Sequence, residues 1–172
     1  LRELVESQVG RINGKYSTLD NVPVHFIHHP VDFTELCALY SLADTALVTP
    51  LIDGMNLVAK EYAMCKSDGN GALVLSEFAG VANELFKAIK VNPYDIEQMA
   101  KAIEESLSME TKDKRRRMTG MYERVSEYDA VFWANSFLSD LAALPKPKAA
   151  SSTLPDTKKQ IIERFKKAKK IA

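Results

Sequence analysis

With 172 residues, 46% of them hydrophobic and 27% charged, the chain can bury one sizeable core with appendages and is too short for two. Its 23 basic residues balance 23 acidic ones, which excludes an overall field drawing it to nucleic acid or an anionic membrane, so any anion site must be local. No apolar run approaches the length of a membrane span.

Leu1-Arg2-Glu3-Leu4 has no initiator Met and no signal-peptide character, so the chain is expected to begin mid-protein. Leu4, Val5, Val9 and Ile12 recur at helical spacing and predict an amphipathic helix ending near Gly14. Val22 to His28, β-branched and aromatic after Asp20-Asn21, predicts a strand. Phe33 to Ala43 returns to helical periodicity. Thr45 to Thr49 is a short apolar run of the kind buried on both sides in a parallel sheet, closed by Pro50. A helix from about Asn56 to Lys66, a glycine-rich turn at 68–71 and a buried strand at Ala72 to Leu75 follow. A short helix after the loop Ser76 to Gly80, a last strand at Ala88 to Val91, and a helix starting from Asn92-Pro93-Tyr94-Asp95 complete the alternation. This order implies an α/β fold with a doubly wound parallel sheet and right-handed crossovers.

From Asp95 to Leu144 the pattern is helical in pieces broken near Met109-Glu110-Thr111 and Tyr128-Asp129. Residues 145–156, rich in Pro, Ser, Ala and Lys, read as a linker, and 157–172 as a basic helical tail. The expected organisation is therefore one Rossmann-like domain over 1–144, a linker and the tail. Cys37 and Cys65 lie inside apolar helical patterns without CxxC or Cys/His spacing, so they are expected to be buried free thiols in a reducing, cytoplasmic setting.

In open α/β sheets ligands bind beyond the carboxyl ends of the strands, which singles out the loop Pro50 to Asn56. Gly54 lets the backbone approach a ligand. The free N–H groups of Met55, Asn56, Leu57 and Val58 at a helix start would face an anion, with a diphosphate as the natural guest. Two acids frame this helix start, and carboxylates belong beside an anion only where they accept from hydroxyls. A nucleotide sugar satisfies that condition: Asp53 would accept from the sugar and Glu61, one turn after Leu57, from the ribose. The plainer readings are a helix cap for Asp53, a solvent-facing residue for Glu61 and a surface or salt-bridge role for Lys60.

His25, His28 and His29 have no acidic partner at metal-ligand spacing, so no metal site is expected. Lys112 to Arg117 lacks interleaved aromatics and reads as a solvated helix face, with no nucleic acid as partner. Ser76 to Gly80 is a second strand-to-helix loop that could line the same cleft.

Arg11-Ile12-Asn13-Gly14-Lys15, Val48-Thr49-Pro50-Leu51, Asp53-Gly54-Met55-Asn56-Leu57-Val58-Ala59-Lys60-Glu61, Leu75-Ser76-Glu77-Phe78-Ala79-Gly80 and Val91-Asn92-Pro93-Tyr94-Asp95 together resemble the successive signatures of trehalose-6-phosphate synthases. The resemblance extends from Leu1 to about Leu144 and includes Trp133 and Phe137-Leu138-Ser139-Asp140-Leu141. It implies a glycosyltransferase-B arrangement of two Rossmann-like domains, of which this chain would be the C-terminal, donor-binding one. The reaction it implies is transfer of glucose from UDP-glucose to glucose 6-phosphate with retention, without metal or other cofactor. By resemblance, Asp53 would hold a glucose hydroxyl, the backbone from Gly54 to Val58 the sugar and diphosphate, and Glu61 the ribose. Val31 and Leu36 would lie by the uracil and ribose, and Ala59 and Lys60 complete the candidate segment.

Two departures stand out. Ile52 occupies a position where the family usually has Arg, and the Arg/Lys pair that neutralises the departing diphosphate, together with the acceptor site, would lie outside the chain. No catalytic residue is therefore assigned within it, and the isolated fragment is expected to be inactive. The other reading is a fragment of a catalytically silent synthase-like subunit that regulates a trehalose-synthesising complex. Such a complex, or an oligomer, is the expected protein partner, and no membrane is.

Overall fold

The computed structural model describes residues 1–144, so the linker and basic tail expected beyond them lie outside the described residues. It divides into two compact units, one spanning Leu1–Glu127 and the other beginning at Tyr128.

The first unit is built on a parallel sheet of β1 (Thr45–Val48), β2 (Ala72–Ser76) and β3 (Ile89–Val91), in that order. Register pairs Leu47 with Val74 and Leu75 with Lys90. Its helices are α1 (Arg2–Tyr16), α2 (Phe33–Leu42), α3 (Leu57–Cys65), α4 (Ile96–Ser108) and α5 (Thr111–Glu127), with a 3₁₀ turn at Gly80–Asn83. Every residue of β2 is buried, as an apolar run between two helical layers requires. Alternation along β2 sends Leu73 and Leu75 into a core with Tyr62 of α3 and Met118 and Met121 of α5. It sends Val74 to the other face, against Ala102 and Met99 of α4. Both faces are thus covered, which is the doubly wound arrangement expected from the alternation of elements.

Helix starts follow the side chains available to cap them. Asp32 accepts from Thr34 and Glu35 amides ahead of α2, and Asp95 from Gln98 ahead of α4. The break between α4 and α5 falls at Met109, where the backbone is extended.

Three expectations are corrected. Val22 to His28 is not a strand: no ladder partner lies beside it among the described residues, and Val24 is held instead by the Asn13 side chain, which both donates to its carbonyl and accepts from its amide. β-propensity describes a residue's fit to a pleated surface and supplies no neighbour. Nor are Cys37 and Cys65 buried; both are free and half-buried between α2 and α3. β1 also departs from burial on both sides, because Leu47 is 49% exposed on the face that α4 covers only in part.

Tyr62 is fully buried, stacks edge-on with Tyr40 at 6.2 Å, and donates its hydroxyl to the Ala43 carbonyl at 3.2 Å. Burial pushes its phenol from 10.0 up to about 12. A phenol whose folded-state pKa is raised contributes stability that is complete below the unfolded value and is lost as pH rises through the folded one. Stability should therefore fall between pH 10 and about 12 in the wild type, and Tyr62→Phe should flatten that fall in urea melts taken across the window.

The unit beginning at Tyr128 contains α6 (Ala130–Ala143), capped by Asp129, which accepts from the Phe132 amide. Tyr128 meets Phe132 edge-on, and Trp133 stacks with Phe137 at 5.6 Å.

Candidate functional site

The carboxyl ends of β1 and β2 both open into loops, and those two loops continue the parallel pairing of the strands. Asp53 donates from its amide to the Phe78 carbonyl, Gly80 to the Asp53 carbonyl at 2.9 Å, and Val81 to the Met55 carbonyl at 2.8 Å. Asp53 and Ala79 thereby form a bridge beyond the sheet. The Ser76–Gly80 loop is therefore the support on which the 53–56 segment lies. A Cβ at Gly80 would land on the Gly54 carbonyl oxygen, so the close approach requires glycine there. A Cβ at Gly54, by contrast, would meet nothing.

α3 begins at Leu57, one residue later than the periodicity suggests, and its N-cap is Asn56. The Asn56 side chain accepts from the Ala59 amide at 2.9 Å. Asp53 does not cap the helix. Its carboxylate accepts from the Met55 amide at 3.1 Å and from the Asn56 side-chain amide at 3.0 Å. The Met55 amide first, and then Asn56, hold the Asp53 carboxyl below the usual carboxylate range. Each carboxylate oxygen carries two lone pairs, so both retain acceptor capacity toward solvent.

Of the four amides expected to face an anion, that of Met55 is occupied by the Asp53 carboxylate and that of Asn56 also acts on it; the next amide along, Ala59, is taken by the Asn56 side chain. Those of Leu57 and Val58 are orphan donors of the first turn, with no acceptor among the described residues. The positive end of α3 and these two N–H groups form a short anion cradle beside Asp53.

Glu61 stands on the exposed side of α3, where the Tyr40 hydroxyl donates to its Oε2 at 3.4 Å. Burial, and then the nearby Glu61 carboxylate, push the Tyr40 phenol up. Leu36, one turn before Tyr40 on α2, is half-buried, as is Val31 just ahead of the Asp32 cap. Lys60 turns to the 3₁₀ side and pairs with Glu84 at 2.6 Å. Ala59 is fully buried. Ile52 is 87% exposed, leaving the loop without the cation that an arginine would place there.

Sequence reasoning missed Tyr40, Asn56 as cap, and the dependence of the loop on Gly80. The helical spacing of Tyr40 marks it only as a core-facing residue. A cap at Asn56 was legible, since Asn followed by a helical pattern is a start signal, but Asp53 offered the same signal three residues earlier.

The sequence model described as glycosyltransferase family 20 matches residues 1–143. The chain belongs to this family. It is 50% identical over 142 residues to the trehalose-6-phosphate synthase of Mycobacterium avium (strain 104), covering 83% of this chain and 29% of that protein. Among solved structures it resembles the E. coli protein bound with UDP-2-fluoro glucose, with a TM-score of 0.79 and 41% identity, over 84% of this chain and 32% of that one. It is similar as well to the Burkholderia xenovorans α,α-trehalose-phosphate synthase (UDP-forming) in complex with glucose-6-phosphate, with a TM-score of 0.78 and 42% identity, over 82% of this chain and 31% of that one. The chain thus spans less than a third of the length of these family members.

Proposed function

We propose that this chain is the donor-binding part of a retaining glycosyltransferase that makes trehalose 6-phosphate from UDP-glucose and glucose 6-phosphate. The observation that carries the reading is the Asp53–Asn56 loop at the carboxyl end of β1, with an ionised, oriented carboxylate beside two orphan helix amides. A carboxylate next to an anion cradle suits a ligand that presents hydroxyls and a diphosphate together, and a UDP-sugar does so. In this reading Asp53 accepts from the glucose, the backbone from Gly54 to Val58 holds the sugar and diphosphate, and Glu61 accepts from the ribose. Val31 and Leu36 lie toward the uracil and ribose. Nucleotide-sugar binding extends over residues 1–144, and the half-buried free thiols suit a cytoplasmic setting. The retention of both Asp53 and Glu61 favours an active donor site over a silent subunit.

The leaving-group cations and the acceptor site are assigned to the rest of such an enzyme, because among the described residues Lys60, the one cation of the loop-helix segment, is committed to Glu84. The 172-residue chain alone should therefore bind UDP weakly by calorimetry and form no trehalose 6-phosphate. Synthesis by the purified chain would refute the placement of the acceptor site elsewhere. Failure of the full-length protein to bind UDP would refute the donor reading itself.

A further inference from the structure

We propose that the Asn56 side chain is a positioning residue for Asp53, holding its carboxylate in the orientation that receives the transferred sugar. This deepens the donor reading above and rests on it.

Asn56 is the one non-glycine residue with positive φ among the described residues, at φ 79° and ψ 94°. Such a conformation is costly for any residue with a Cβ, and asparagine tolerates it better than most. Glycine would adopt it at no steric cost, so the backbone alone does not account for asparagine here. What asparagine adds is an amide with two ends. Its oxygen accepts from the Ala59 amide at 2.9 Å, which ties the side chain to the first turn of α3. Its nitrogen donates to Asp53 Oδ2 at 3.0 Å, while Oδ1 takes the Met55 amide at 3.1 Å. The Met55 amide on Oδ1 and the Asn56 side chain on Oδ2, with a weaker contribution from the Asn56 amide, fix the plane of the carboxylate relative to the helix start. Oδ1 is held by the loop's own backbone, but Oδ2 is held only by Asn56 among the described residues.

Serine and aspartate also cap helices well, but neither combines a cap acceptor with an N–H donor reaching back three residues. The Asn56 side chain is therefore committed on both ends, and its part in donor handling is exerted through Asp53. The cradle amides of Leu57 and Val58 depend on the backbone and are separable from it.

The test uses the full-length protein with Asn56→Gly, Asn56→Asp, Asp53→Ala and the Asp53→Ala/Asn56→Gly double variant. Glycine keeps the backbone conformation and the Leu57 and Val58 amides but removes both the bond to Oδ2 and the cap on the Ala59 amide. Asn56→Gly should therefore lower kcat/KM for UDP-glucose about 10- to 100-fold, as expected for losing a hydrogen bond to a charged group, while UDP affinity changes about twofold or less. Asn56→Asp keeps the cap but sets a second carboxylate against the first, and should lose more activity than Asn56→Gly. In kcat/KM the double variant should be no worse than Asp53→Ala, because toward the sugar the two changes act through one interaction; the Asn56–Ala59 cap bond that glycine also removes is read separately in ligand-free melts. Wild-type kcat/KM in Asn56→Gly beside an impaired Asp53→Ala would overturn the positioning role alone. Equal losses of UDP and UDP-glucose affinity in Asn56→Gly would overturn it too, by showing a distorted cradle. An unimpaired Asp53→Ala would instead bring down the assignment of Asp53 to the sugar, and the role of Asn56 with it.

Discussion

Gly80→Ala is expected to weaken UDP-glucose binding by the full-length protein at least tenfold and to lower its stability by about 1 to 3 kcal/mol, the usual cost of forcing a methyl group into a packed site. The added Cβ has one place to go, onto the carbonyl oxygen of Gly54, and that oxygen belongs to backbone that cannot rotate aside. Relief requires the two loops to part, which stretches the bonds from Gly80 to the Asp53 carbonyl and from Val81 to the Met55 carbonyl. Those bonds place Asp53 and the approach to α3, so the proposed donor site would move with them. Gly54→Ala supplies the contrast. Its Cβ meets no protein atom, so thermal stability should stay within about 0.5 kcal/mol of wild type, while donor binding falls if the sugar nucleotide approaches the loop at that point. Calorimetric titration with UDP-glucose and thermal melts of both variants check the pair. Wild-type affinity in Gly80→Ala would show that the second loop does not support the first.

The second large effect separates the two carboxylates. Glu61→Ala should weaken UDP and UDP-glucose alike, by about 1 to 3 kcal/mol for lost charge-assisted hydrogen bonds to the ribose. Asp53→Ala should leave UDP affinity nearly unchanged while kcat/KM for UDP-glucose falls further than donor affinity, because the reacting sugar loses its position. Asp53 is not the helix cap, so its removal leaves the Asn56–Ala59 bond of α3 in place. It does release the Met55 amide to solvent, a change that melts without ligand would measure. Equal losses of UDP affinity in both variants, with stability unchanged, would remove Asp53 from the sugar.

Much of this architecture follows from local pattern. The alternation of apolar runs with helical periodicity was enough for the parallel α/β sheet, and the breaks near Met109 and Tyr128–Asp129 were legible because extended backbone at one and an Asp cap at the other interrupt an otherwise helical run. The loop proposed to hold the donor was singled out for a related reason: a glycine and an acid immediately follow a strand of the sheet. Pairing, in contrast, is a property of neighbours. Val22 to His28 has the composition of a strand, yet no second strand lies beside it among the described residues, and the backbone of Val24 bonds instead to the Asn13 side chain, 11 residues away. The same reason hid the loop's internal wiring. That Asn56 rather than Asp53 caps α3, that Tyr40 reaches Glu61 across 21 residues of sequence, and that Gly80 must be glycine because Gly54 lies against it are contacts between separate elements. Composition and periodicity specify which face of a segment is apolar. Which side chain meets which across two elements is decided only when packing brings them together.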